Sequence, residues 1–147
     1  MQPQVVHLPA RQIIGVGSIG GEPVNPGDVW PVLFTRMGEL TGRINERETL
    51  GLIKRSQHGY LAGVETELSS RVPEGMFAYA IPAGEYVSLT HRGPVSRIND
   101  TFERLISWLT SNGYEPYDVV CFEVYDERFR GEDDTSEFDI YVQVRPA

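Results

Sequence analysis

The sequence predicts an α+β domain in which a β-α-β-β unit occurs twice around an antiparallel sheet. Two observations predict it. Residues 8–20, LPARQIIGVGSIG, follow the same plan as residues 81–93, IPAGEYVSLTHRG: an apolar residue, Pro and Ala, then an alternating run closed by Gly. The two runs lie 73 residues apart (81 minus 8), half of a 147-residue chain. In both halves the run is followed by one helical periodicity and then by two strand-like segments.

After Gly20, a Pro/Gly-rich turn over residues 21–27 leads into a stripe of Trp30, Leu33, Phe34, Met37, Leu40 and Ile44 at three- and four-residue spacing, which predicts a helix. Residues 49–54 and 60–68 then read as strands. In the second half Ser96 is the expected N-cap of a helix carrying Ile98, Phe102, Leu105, Ile106 and Leu109, stopped by Asn112-Gly113. Residues 119–125 and 137–144 read as its two strands. Past the helices the repeat registers at 72 residues, with Leu50 and Leu52 matching Phe122 and Val124, and Leu68 matching Ile140. The expected organisation is one domain over residues 1–147, with repeats near 1–74 and 75–147.

Composition excludes several classes of function. A chain of 147 residues, 40% hydrophobic, is long enough for one domain with a real core. Its 21 acidic against 13 basic residues give a net charge of -8, which argues against direct nucleic-acid binding and for a neutral or cationic partner. One cysteine, no secretory leader pattern and no membrane-length apolar run point to a cytoplasmic protein without disulfides. The charge-dense residues 126–134 read as a solvated hairpin connection.

Strand parity locates the chemistry. In residues 119–125 one face carries Val120, Phe122 and Val124, and the other Cys121, Glu123 and Tyr125. The apolar face is expected to meet the helices. In the last strand Phe138, Ile140, Val142 and Val144 alternate with Glu137, Asp139, Tyr141 and Gln143, and in residues 85–91 Val87 and Leu89 oppose Tyr86, Ser88 and Thr90. The second sheet face therefore collects tyrosines and acids around Glu123: either a wet surface or the wall of a cavity.

At these residues a family resemblance enters. FEVYDERF with SEFDIYVQV, the central AGEYVSLTHRGPV with SWLTSNGY, and YLAGVETE resemble the GyrI-like effector-binding domain, the small-molecule module of AraC- and MerR-type multidrug regulators. The resemblance spans essentially the whole chain. It implies two SHS2-like β-α-β-β units joined pseudo-symmetrically, and a central groove of aromatics with a buried glutamate that meets the charge of lipophilic cations. By position in FEVY that glutamate is Glu123. The chain departs from the family in carrying Gln143 where Pro often closes the last strand, and its 147 residues spell no helix-turn-helix, which leaves a regulator role through its own DNA contacts without support.

Physical chemistry supports the same residue. A carboxylate among aromatics costs several kcal/mol alone, so it is retained where a cation or a proton compensates it. Aromatic faces add about 0.5–2 kcal/mol each for a delocalised cation. The bland alternative is a surface ion pair between Glu123 and Arg92 or Arg128. The candidate ligand-binding set is Glu123, Tyr125, Tyr141, Tyr86, Trp30, Trp108 and Cys121; for the two tryptophans, helix-sheet core is an equal alternative to groove wall, and nothing in the sequence activates the Cys121 thiol.

Two other patterns carry no site. Residues 15–20 spell GxGxxG, but the dinucleotide motif opens a helix directly, and here residues 22–27 intervene. His7, His58 and His91 lack ligand spacing with Cys121, so neither cofactor nor metal is expected, and His91 is read as closing a strand end. The first functional expectation is a stand-alone binder of flat hydrophobic, cationic molecules. The resemblance also implies an enzyme, since some relatives are hydrolases of strained cyclopropane electrophiles; Glu123 would then activate water, and Tyr125 or Tyr141 would polarise the substrate carbonyl. A third reading is protein interaction, because the family's namesake inhibits DNA gyrase.

Overall fold

A computed structural model describes residues 2–21, 23–54 and 59–147; His58 lies outside them, as do the side chains of residues 118–120. Among the described residues the strands and α-helices follow in the order β1 (Gln4–Leu8), β2 (Arg11–Ile19), α1 (Pro26–Thr35), β3 (Thr49–Ile53), β4 (Gly59–Thr66), β5 (Phe77–Ile81), β6 (Gly84–Arg92), α2 (Ile98–Ser111), β7 (Tyr114–Tyr125) and β8 (Glu137–Pro146). The class is α+β, as expected, with one strand more per unit than the sequence suggested. β1 and β5 end at the Pro-Ala pairs that open the two similar runs.

All eight strands form one antiparallel sheet in the order β1-β6-β8-β7-β3-β4-β2-β5. Exchanging β1 to β4 for β5 to β8 reproduces this order reversed, so the two units are related by a pseudo-twofold at the β7-β3 seam. The sheet must curl. β1 and β2 are six strand spacings apart, about 29 Å if flat, yet only Pro9 and Ala10 join them, a link of at most about 11 Å. The inside of the curl is one cluster drawn from every strand, with Ile13, Leu50, Leu52, Leu61, Ile81, Tyr86, Phe122 and Val124 buried and Val6, Leu8 and Tyr141 against them.

The helices cover the outer face. α1 lays Val29 and Leu33 on Ile14, Ala62 and Val64, while α2 lays Leu105 and Leu109 on Val87, Leu89, Phe138, Ile140 and Val142. None of the described helices is long and apolar enough to cross a membrane. α1 begins inside the expected turn over residues 21–27, with Asn25 accepting from the Gly27 amide at 2.9 Å and Pro26 in the first turn. It is shorter than its stripe: the chain leaves the α-helix after Thr35 and tightens into a 3-10 turn at Met37–Glu39, and Ile44 lies beyond it, exposed.

Four further expectations are corrected. Ser96 is not the cap of α2: it sits in the 3-10 turn Val95–Arg97, and its amide and hydroxyl donate to Glu132 instead. Leu68 lies past β4 and is exposed, so it is not the counterpart of Ile140. Leu50 pairs with Gly63 where Phe122 pairs with Tyr141, which moves the last strand to an offset of 78 (141 minus 63), because the second hairpin loop, residues 126–136, is longer than residues 54–58. Finally, the β7 faces are the reverse of the expectation. Phe122 and Val124 point into the curl, and Cys121, Glu123 and Tyr125 lie on the helix side, since Cys121 pairs with Val142 and Glu123 with Ile140.

Candidate functional site

Between the two helices, above the β7-β3 seam, lies a cavity of about 470 Å³. Its walls come from both halves. α1 contributes Pro26, Trp30 and Phe34, β3 and β4 contribute Thr49, Ile53 and Tyr60, and the second half contributes Val95, Ile98, Phe129, Tyr125 and Glu123. The α1 side is aromatic, with Trp30 stacked on Phe34 at 5.8 Å and edge-on to Tyr125 at 5.4 Å, whereas Val95 and Ile98 give the opposite wall an aliphatic surface.

Glu123 is the acid of this cavity and is 6% exposed. Its Oε1 accepts from the Tyr125 hydroxyl at 2.8 Å and the Tyr60 hydroxyl at 3.1 Å, and Trp30 Nε1 donates to the Tyr60 oxygen at 3.1 Å. No described residue donates to Oε2. Burial pushes the Glu123 acid above the usual glutamate range, while the hydrogen bonds from Tyr125 and Tyr60 pull it back only in part. Burial and the neighbouring Glu123 also raise both tyrosines, which stay protonated at any ordinary pH.

Gly51 makes this geometry possible. It is the cross-strand partner of Glu123, and the Tyr60 ring passes over it to reach the carboxyl. A Cβ at position 51 would overlap the Tyr60 hydroxyl and stand 2.8 Å from Glu123 Oε1. Both Tyr60 and Gly51 escape a reading based on face parity alone. The signal was nonetheless present: when Leu50 and Leu52 match Phe122 and Val124, Gly51 is by construction the counterpart of Glu123, and Tyr60 heads the YLAGVETE run.

The surface ion pair is excluded as the explanation of Glu123. Among the described residues no cation is in ion-pair contact with it; Arg128 holds Asp126 at 2.9 Å and Asp139 at 2.8 Å, and Arg92 faces Glu137 at 4.0 Å. Of the residues proposed from sequence, Glu123, Tyr125 and Trp30 come together in the cavity. Tyr86 and Tyr141 do not, because they occupy the inner face of the sheet. The Tyr86 hydroxyl donates to the Pro82 carbonyl at 2.7 Å and is pushed up to about 12 by burial, and Tyr141 stacks on Phe122 at 4.8 Å. Trp108 stacks on Tyr114 at 6.2 Å and lines a separate, open depression with Gln2, Pro3 and Asp100. Cys121 is buried beneath α2, and His91, also buried, ties the end of β6 to Thr101 and the Pro94 carbonyl.

The family pattern of the GyrI-like small molecule binding domain matches residues 1–145. The chain belongs to that family. The GyrI-like domain is 33% identical, over 98% of its length, to the transcriptional regulator BrlR of Pseudomonas aeruginosa, of which it spans 56%. It is thus a small-molecule binding domain, related to the effector portion of a regulator. Among solved structures, the EcmrR C-terminal domain is similar at a TM-score of 0.76 and 14% identity, covering 99% of this GyrI-like domain and 98% of that chain. The SAV2435 protein bound to tetraphenylphosphonium is similar at 0.69 and 13%, covering 99% and 94%. At those identities the likeness is one of fold.

Proposed function

We propose that this domain binds flat or propeller-shaped lipophilic cations between α1 and α2, with Glu123 as the counter-charge. The observation that carries the reading is a buried carboxyl group with no cationic partner among the described residues, held by Tyr60 and Tyr125 in a cavity walled by Trp30, Phe34, Ile53, Val95 and Ile98. A delocalised cation gains Coulomb attraction from Glu123 in a low-dielectric setting and cation-π attraction from the Trp30 and Tyr125 rings. The bound tetraphenylphosphonium of a protein with this fold supports the class of ligand. The placement of the hydroxyls favours binding over turnover, because both tyrosines already donate to one carboxyl oxygen and neither has a proton left to polarise a substrate carbonyl.

The test compares tetraphenylphosphonium with the neutral triphenylphosphine oxide by calorimetry. Glu123→Gln is expected to weaken the cation at least about thirtyfold and the neutral compound by less than about threefold. Equal losses for both would remove the electrostatic role of Glu123.

A further inference from the structure

How Glu123 tolerates its position before a ligand arrives follows from the arrangement of its two oxygens. A carboxylate spreads its charge evenly and gathers donors at both oxygens, whereas a carboxylic acid offers one carbonyl acceptor and one O–H. Here both donors converge on Oε1, from Tyr125 at 2.8 Å and Tyr60 at 3.1 Å, and no described residue donates to Oε2. That one-sided arrangement suits the neutral acid, with Oε1 as its carbonyl oxygen.

The surroundings agree from every side. On β7 and β4 the facing titratable groups are Tyr125 and Tyr60; β3 presents Gly51 and Thr49, β8 presents Ile140, α1 presents Trp30, the 3-10 turn before α2 presents Val95, α2 itself presents Ile98, and the loop after β7 presents Phe129. None of these can carry a positive charge. An uncompensated carboxylate here costs several kcal/mol, and adding a proton removes that cost. The upward shift that burial imposes on the Glu123 acid points the same way.

We propose that Glu123 exchanges a proton for the charge of the ligand: the protein without ligand carries the neutral acid and accepts neutral flat lipophiles as such, and a cation enters as the Glu123 proton leaves. The inference rests on the cation-binding reading and extends it to a second ligand class. The balance is simple. The Glu123 O–H bond breaks, its electron pair stays on the carboxylate facing the cation, the proton goes to solvent, and no other bond changes. Affinity for cations then tightens as the pH rises, while affinity for neutral lipophiles at the acid end does not depend on charge at all.

Calorimetry in buffers of different ionisation heat, from about pH 5 to about pH 8, reads the exchange directly. For tetraphenylphosphonium, close to one proton is expected to be released per cation at the acid end, falling toward none once Glu123 has ionised, and the Kd should drop about tenfold per pH unit before levelling off. Triphenylphosphine oxide should bind at the acid end without releasing a proton. Glu123→Gln should keep the neutral compound within about threefold and abolish the pH slope for the cation. Cation binding with flat affinity and no proton release would overturn the exchange and leave the cation reading standing. Failure of the neutral compound to bind at the acid end would overturn the second ligand class. Absence of cation binding at every pH would overturn both readings together.

Discussion

The two halves of the chain meet where β3 pairs with β7, and the partners at that seam are Gly51 and Glu123. The halves supply the same strands in the same order, yet one gives a residue without a side chain and the other an acid. A second carboxylate at position 51 would face the first across an antiparallel pair, where like charges repel. With glycine there, the Tyr60 ring can cross the strand and hydrogen-bond the single acid. The other differences act in the same place. The counterpart of Tyr60 in β8 is Phe138, so only the first half supplies a hydroxyl from that strand. α1 is the shorter helix and brings Trp30 and Phe34 to the cavity, whereas the longer α2 brings only Ile98 and puts its tryptophan elsewhere. Duplication built the groove; the departures from symmetry gave it one charge, one set of donors and one aromatic wall.

The union of the halves is most vulnerable inside the curl, where they share a core. Phe122 packs against Tyr86, Tyr141 and the strands of both units, so Phe122→Ala should cost about 3–5 kcal/mol. Urea unfolding followed through Trp30 in one half and Trp108 in the other should give a single coincident transition in the wild type. Two separate transitions would mean that the halves are independent.

A smaller effect is expected at the seam itself. Gly51→Ala forces the Tyr60 hydroxyl away from Glu123 and should destabilise by about 1–3 kcal/mol, with about a tenfold loss of cation affinity. Wild-type affinity in this variant would show that Tyr60 has no part in holding the acid.

The acid can be tested through stability alone. Burial raises Glu123 above its unfolded value, so the unfolded chain gives up this proton first as the pH rises. Stability from this group is complete below the ordinary glutamate value and is lost as the pH climbs through the folded one. Glu123→Gln removes that loss: the variant should match the wild type near pH 4 and exceed it by on the order of 1 kcal/mol near pH 7. A variant less stable at neutral pH would mean that the carboxylate is stabilised by contacts other than those described.

The mildest change makes the halves more alike. Tyr60→Phe copies Phe138 and removes one donor that lowers the Glu123 acid, so the pH at which cation binding becomes strong should move upward. Cation affinity near neutral pH should fall about three- to tenfold. Tyr125→Phe, which removes the shorter bond, should move both quantities further.

The duplicated α+β plan, the four strands that follow the helices and the acid at position 123 were legible in the sequence, because periodicity and repetition are local properties of the chain. The stop of α2 at Asn112-Gly113 was legible for the same reason, since Gly113 takes the left-handed conformation that glycine adopts freely. β1 and β5 were not, because each is short and pairs with a strand of the other unit.

The curl of the sheet decided what parity could not. Alternation says which residues share a face, but a curled sheet with apolar side chains on both faces gives no local sign of which one meets the helices. Phe122 and Val124 therefore went inward with Tyr86 and Tyr141, and Glu123 went outward beside Tyr125. The same closure carried Tyr60 and Trp30, distant in sequence, to the carboxyl. Sequence by itself named the acid, one of its hydroxyl donors and Trp30 in the wall beside them. Tertiary structure chose the second donor and most of the walls, because the contacts that bring them to Glu123 exist only after two halves pair across a seam.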